Sequence, residues 1–321
     1  LINKYWPNIE SLRIPVWTNE PLSMGAPDWD LAALHTLTLE NSPMLVLPES
    51  IGNLANLTHC DIINCEFLRV LPWSIGKLAA LTHLHIIECM ALLSLPNSIG
   101  NLIGLVELNL RLCIELTSLP DSIGNLVNLA HLDLTNCESL TSLPDSIGNL
   151  VNLTHLLLDS CGSMTSLPGS IGNLKSLTHM DFYRCESLTS LPESIGHLTN
   201  LTHLRMSGCF NLTFLPELIG SLTTLRHLDL TYCGKLTSLP ESIGNLGKLT
   251  YLDLRYTILS SLPESIGNLV KLRHLDLRCT ILTSLPESIG NLTALTTLGI
   301  SGCDLLASLP KSIGNLTALT T

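Results

Sequence analysis

Two residue types recur in this chain at spacings that invite chemistry. Cys65, Cys89, Cys113, Cys137, Cys161, Cys185, Cys209, Cys233 and Cys303 share one phase, and His59, His83, His131, His155, His179, His203, His227 and His274 share another. Thiols and imidazoles in rows suggest zinc. The aspartates two residues after several histidines (His131/Asp133, His179/Asp181, His227/Asp229, His274/Asp276) suggest acid–base work. Residues i and i+2 share a strand face, so such pairs can lie side by side. Zinc, however, needs ligands that converge tetrahedrally, whereas a ladder presents its thiols in parallel. The pairs also recur with the repeat, so duplication accounts for them. No serine or cysteine nucleophile has a unique third partner, and an open face implies no pocket. The chain is read as a non-enzyme with no metal and no cofactor. The cysteines form a structural column, each a small apolar group with a weak S–H donor. Cys60 falls at a core position, and Cys279 is the expected exposed thiol.

What positions these residues is a repeat, exemplified by Leu129–Asn152, LAHLDLTNCESLTSLPDSIGNLVN. The prolines of LPxSIG and its variants run from Pro48 to Pro310. Nine of the eleven steps between them are 24 residues, and Pro240–Pro263 and Pro263–Pro286 are 23. In the first half of each unit, alternation such as Leu132-Asp133-Leu134 predicts a short strand with leucine inward. Strands are expected at 36–40, 59–63, 83–87, 107–111 and onward, one per unit, to 297–301. The second half, LPxSIGNL, is too broken by proline and glycine for a long helix. It predicts one tight turn begun by Ser146 and its counterparts, with Ile147 and Leu150 inward. Gly148 either lets adjacent turns approach closely or takes a backbone angle costly for other residues. The expected fold is an α/β leucine-rich repeat solenoid, an arc or horseshoe with a parallel concave β-sheet and short 3₁₀ or single-turn helices on the convex side. Residues 1–33 lack the period. They are read as an irregular N-terminal cap or partial repeat, with Leu12 and Ile14 in a degenerate first strand and Trp6, Trp17 and Trp29 covering the core. Residues 34–321 form the repeat domain of 23–24-residue units, truncated at the C-terminus.

The formal charge of −11 argues against a nucleic-acid binder, which needs a basic stripe. No apolar run reaches the roughly 18 residues of a membrane span. The cysteine usage favours a reducing compartment, hence a cytoplasmic location. The NLT triplets at Asn56, Asn152, Asn200, Asn211, Asn291 and Asn315 match the glycan acceptor pattern, but they arise within the repeat consensus.

Function is sought where the pattern leaves freedom, on the outward strand face. There the C-terminal half collects Tyr183, Arg184, Arg205, Tyr232, Tyr251, Arg255, Tyr256 and Arg278. Tyrosine and arginine are favoured at interface hot spots, so a protein or peptide ligand is expected on this concave face. Neighbouring domains of a parent chain are further expected partners. Charge reversal at Arg205, Arg255 and Arg278 is expected to weaken binding without melting the fold.

LPESIGNL, LTHLDL and LTSLP resemble the repeats of plant nucleotide-binding/leucine-rich-repeat immune receptors and of plant Ras-group leucine-rich proteins. The likeness covers residues 34–321. It implies a ligand-sensing or autoinhibitory repeat region of an intracellular receptor-like protein, serving plant defence and disease resistance. Leu132, Leu134, Cys137, Leu140, Leu143, Pro144, Ile147 and Leu150 match that family's structural motif. Two other functions stay open. One is an oligomerising scaffold without a dedicated ligand. The other is an extracellular adhesion repeat.

Overall fold

The computed structural model describes residues 10–14, 31 and 33–320. They hold thirteen short strands, and from the second strand onward each is followed by a 3₁₀ turn. Two compact units are distinguished, Leu1–Leu156 and Leu157–Thr321.

In the first unit, β1 (Ser11–Ile14), β2 (Thr36–Glu40), β3 (His59–Ile63), β4 (His83–Ile87), β5 (Glu107–Asn109) and β6 (His131–Asp133) pair in sequence order, every pair parallel. β7 (His155–Leu157) falls at the division. In the second unit the order is β8 (His179–Asp181), β9 (His203–Arg205), β10 (His227–Asp229), β11 (Tyr251–Asp253), β12 (His274–Asp276) and β13 (Thr297–Gly299), again parallel. Within each unit the register offset is one repeat, so His203 faces His179 and His227. This is the parallel-strand, 3₁₀-turn architecture of the leucine-rich repeat solenoid. The degenerate first strand is present as β1, while Trp6, Trp17 and Trp29 lie outside the described residues.

The strands after β4 are three residues long rather than five. In several coils a side chain on the outward face ends them. Asn109, Asp133, Asp229, Asp253 and Asp276 each accept the N–H two residues on through Oδ1, at 2.9–3.1 Å. That local bond competes with the ladder and turns the chain. The following corner residue is left-handed in coil after coil, as at Asn136 (φ 60°), Tyr232 (60°) and Tyr256 (57°).

Inside each coil the leucines are committed. Leu129, Leu132, Leu134, Cys137, Leu140, Ile147 and Leu150 are all essentially inaccessible to water. Burying each aliphatic side chain contributes about 1.5–3 kcal/mol. Each turn opens on an extended proline, and Pro144 O accepts the Ile147 N–H at 3.0 Å. The three-residue period then points Ile147 and Leu150 the same way. Ser146 is not the cap that its position suggests. The turn Asp145–Asn149 has Pro144 before it and no side-chain cap, and the Ser146 hydroxyl is buried without a partner. Turn amides are capped from the preceding coil instead. Glu49 Oε2 accepts the Ser74 N–H and Glu193 Oε2 accepts the Leu218 N–H, both at 3.0 Å. The repeated glycine serves close approach. A Cβ on Gly124 would lie 2.5 Å from Ser146 O in the next coil.

Candidate functional site

The cysteine column is a cross-coil ladder. Cys137 Sγ donates to Leu110 O at 3.3 Å, Cys185 to Leu158 O at 3.1 Å and Cys233 to Met206 O at 3.3 Å. Burial pushes the Cys113 and Cys233 thiols up to about 12, which keeps them protonated and poor as metal ligands. Thr257 and Thr280 do not copy this bond. Their hydroxyls donate within their own coils, to Leu254 O and Leu277 O at 2.8 Å. Cys60 is buried and Cys279 is exposed, as their positions suggested. Three asparagines of the NLT triplets, Asn152, Asn200 and Asn211, also serve the stack. Asn152 Nδ2 donates to Val127 O and Asn200 Nδ2 to Lys175 O, and Asn128, which lies in no such triplet, does the same to Ile103 O.

Outward side chains of the second unit line up by phase. His179, His203, His227, Tyr251 and His274 form a continuous ring stack with centroids 4.2–5.7 Å apart. Thr202 Oγ1 donates to Thr178 O at 3.0 Å, so its lone pair receives the proton of His203 Nδ1 at 2.9 Å. This leaves Nε2 as the acceptor. Burial lowers the pKa of His203 and His227 and so favours the neutral ring. His274 and Asp276 lie side by side, as the strand spacing allows, without a bond between them: Nε2 is 3.9 Å from Oδ2.

The eight candidate residues fall into three groups and one outlier. Arg205 pairs with Asp159 Oδ2 at 2.8 Å and lays its guanidinium 5.1 Å from the Tyr183 ring centre. Tyr232 and Tyr256 stack at 4.4 Å with only 4° between planes, and are 47% and 44% exposed. Tyr251, Arg255 and Arg278 surround two carboxylates. Arg255 Nη2 meets Asp253 Oδ2 at 2.7 Å and Arg278 Nη2 meets Asp276 Oδ2 at 2.6 Å. Arg255 Nε also lies 3.4 Å from Asp276 Oδ2, and Tyr251 Oη donates to Asp253 Oδ2 at 3.1 Å. Burial first, then the Asp253 charge, raises the Tyr251 hydroxyl to about 12. Arg184, at a left-handed corner, stands apart with Glu186 3.8 Å away.

This geometry corrects the charge-reversal expectation. The Asp253 and Asp276 side chains are only 1% and 3% exposed, so Arg255 and Arg278 neutralise buried charge. Reversing either strikes the fold as well as the surface. The same clamps argue against a metal. Asp253, His274 and Asp276 offer ligand atoms within 4.8 Å of one another, but two guanidiniums already hold both carboxylates.

His85, on the first unit's strand face, is a residue the column reading passed over. Its Nδ1 lies 3.0 Å from Asp61 Oδ1 and its Nε2 3.1 Å from Glu107 Oε1. Donating both bonds requires the imidazolium, and the Asp61 bond raises its pKa while lowering that of Asp61. A raised histidine value contributes stability that is complete below about 6.5, the unfolded value, and is lost as pH climbs through the folded one. The depressed Asp61 value contributes above its unfolded 3.8 and is lost as pH falls. We therefore expect His85→Gln to cost about 1 kcal/mol at pH 6 and distinctly less at pH 9, read from urea midpoints. An equal cost at both values would mean that the ring acts by packing alone.

Coils of this construction define a leucine-rich repeat solenoid. A leucine-rich repeat region family matches residues 108–211, 161–239 and 264–321, and a single-repeat family matches 248–269. The chain belongs to the leucine-rich repeat family. A leucine-rich repeat protein of Leptospira interrogans is 27% identical, with 98% of this chain and 90% of that one covered and a TM-score of 0.54. The repeat domain of the type III effector XopL is 32% identical over 67% of this chain and 74% of its own, with a TM-score of 0.57. An internalin of Listeria monocytogenes shares the fold at 18% identity, covering 99% and 87%, with a TM-score of 0.66. No curated protein matches the sequence. Leucine-rich repeats are generally protein-interaction modules rather than enzymes. Among the described residues, no helix is long and apolar enough to cross a membrane.

Proposed function

We propose that this chain is a protein-recognition module that takes a protein or peptide ligand on the outward strand face of residues 157–321. The carrying observation is the Tyr232–Tyr256 pair. Both tyrosines occupy left-handed corners, where a Cβ costs roughly 1–2 kcal/mol and where the same chain elsewhere places Asn41, Asn64, Asn136, Gly208 and Gly302 as well as Glu88, Leu112, Ser160, Arg184 and Cys279. Core packing does not call for large half-exposed rings at such corners. A partner surface does, since rigid aromatic anchors lose little entropy on binding. The Tyr183–Arg205–Asp159 group adds a second ordered contact on the same unit.

The wider reading is a ligand-sensing or autoinhibitory region of an intracellular receptor-like protein, of the kind found in plant immune receptors. The buried column of thiols, none of them in a disulfide, supports a reducing compartment. Tyr232→Asn combined with Tyr256→Asn tests the binding face. Affinity capture from the native source, quantified by mass spectrometry, should lose its main partner with the double variant while the urea midpoint does not fall. Undiminished capture would place the ligand elsewhere. Glycans found on Asn56 or Asn291 in the native material would overturn the intracellular assignment.

A further inference from the structure

Coil 209–232 departs from its neighbours on the turn side of the second unit. Where other coils have Ser166, Ser190, Ser238 and Ser261, it has Phe214. Where others have Ser170, Ser194, Ser242 and Ser265, it has Leu218. Both side chains face solvent, at 51% and 41% exposure. The backbone does not require them, since serine occupies the same turn positions in coils of the same construction. Large apolar groups set where the repeat is polar mark a surface with a use of its own.

Phe214, Leu215, Pro216, Ser238 and Pro240 line a shallow dent of about 270 Å³ together with Glu193 and Glu217. That is below the ~300–1,000 Å³ of small-molecule pockets and is the scale of one inserted side chain. Glu193 spends one oxygen on the Leu218 N–H. Glu217 has no hydrogen-bond or ion-pair partner among the described residues. The edge continues acidic, with Glu241, Glu264 and Glu287 at the same phase of the following coils. An aromatic face beside an unpaired carboxylate suits a flat cation, which can lie on the ring and pair at its edge. Guanidinium does this better than the compact, strongly hydrated ammonium.

We infer that the Phe214 dent is a docking pocket for an arginine side chain presented by a partner protein. It is a second contact surface, independent of the tyrosine face. The pocket supplies an apolar lining for the arginine stem, a ring for the guanidinium plane, and Glu217, with the remaining oxygen of Glu193, for its charge.

The test uses the whole chain and two blocked tripeptides, Ac-Gly-Arg-Gly-NH₂ and its lysine counterpart, followed by backbone amide NMR at about 0.15 M salt. The arginine peptide should shift the amides of Phe214, Glu217 and Ser238, and bind at least about threefold more tightly than the lysine peptide. Combining Phe214→Ser with Leu218→Ser restores the repeat's own residues and so preserves folding. It should weaken arginine binding at least about fivefold. Glu217→Gln should weaken it comparably, and Glu264→Gln, at the same phase two coils on, should leave it unchanged. Equal losses from Glu217→Gln and Glu264→Gln would reduce the effect to unspecific attraction and overturn the pocket. So would shifts centred on other coils, or equal affinity for arginine and lysine.

Discussion

Gly124→Ala is expected to cost about 3 kcal/mol, the upper end for overpacking, although it adds a single methyl group. The new Cβ would lie 2.5 Å from Ser146 O and 2.8 Å from Ser146 Cβ. No rotamer relieves this contact, because the obstacle is the backbone of the next coil, and a whole coil must move to make room. In a stacked array stability is close to a sum of unit and nearest-neighbour interface terms. The damage should therefore centre on one interface. The urea midpoint should fall, and hydrogen exchange should quicken most in the turns Asp121–Asn125 and Asp145–Asn149. Gly169→Ala is the control, since a Cβ there meets nothing within 4 Å. It should be neutral or gain about 0.5 kcal/mol by stiffening the unfolded chain. Similar results for the two variants would show that close approach is not what requires glycine at position 124.

That contrast marks how far the sequence alone can be read. An inward position is forced, because Leu132 and Leu134 have nowhere to go but the core. Periodicity therefore locates the strands, the turns and the cysteine column. The glycine had two readings, and only the spacing of adjacent coils decides for close approach. Ser146 was harder, because its position suggests capping within one turn and the structure makes the cap between turns. Glu193 reaches the amide of Leu218 while Ser146 stays unpaired. A search along one coil cannot find a bond made to the next.

The outward face was legible in composition and opaque in pairing. Tyr183, Arg205, Tyr232 and Tyr256 are found where the phases put them, yet which arginine is tied down depends on side-chain direction. Asp133 could have faced His131, but Oδ1 instead takes the Thr135 N–H. His85 was missed because both partners lie in adjacent coils, Asp61 directly in register with it and Glu107 at the phase of His83. Phe214 and Leu218 did leave a signal. In an array this regular, a residue that breaks the consensus outward is as informative as one that keeps it inward.

Arg255→Met should cost 3 kcal/mol or more at pH 7, about what losing one partner of a buried pair costs. Asp253 is 1% exposed and Asp276 3% exposed, and Arg255 touches both. Without the guanidinium, Asp253 keeps the Tyr251 hydroxyl and the backbone N–H of residue 255, but loses three contacts to the Arg255 side chain at 2.7–2.9 Å. The pH dependence identifies the cause. In the native chain the Asp253 pKa is lowered although burial alone would raise it, because the Arg255 bonds and charge outweigh desolvation. Its contribution is present above the unfolded value of 3.8 and is lost as pH falls through the folded one. In the variant burial prevails, the folded pKa rises above the unfolded one, and the carboxyl must protonate to stay buried. The stability gap between the two proteins should therefore narrow from pH 7 toward pH 4. Adding Asp253→Asn to Arg255→Met should recover part of the loss at pH 7, because the stranded charge is then gone. A loss that stays constant with pH and is not rescued by Asp253→Asn would assign the role of Arg255 to the packing of its stem.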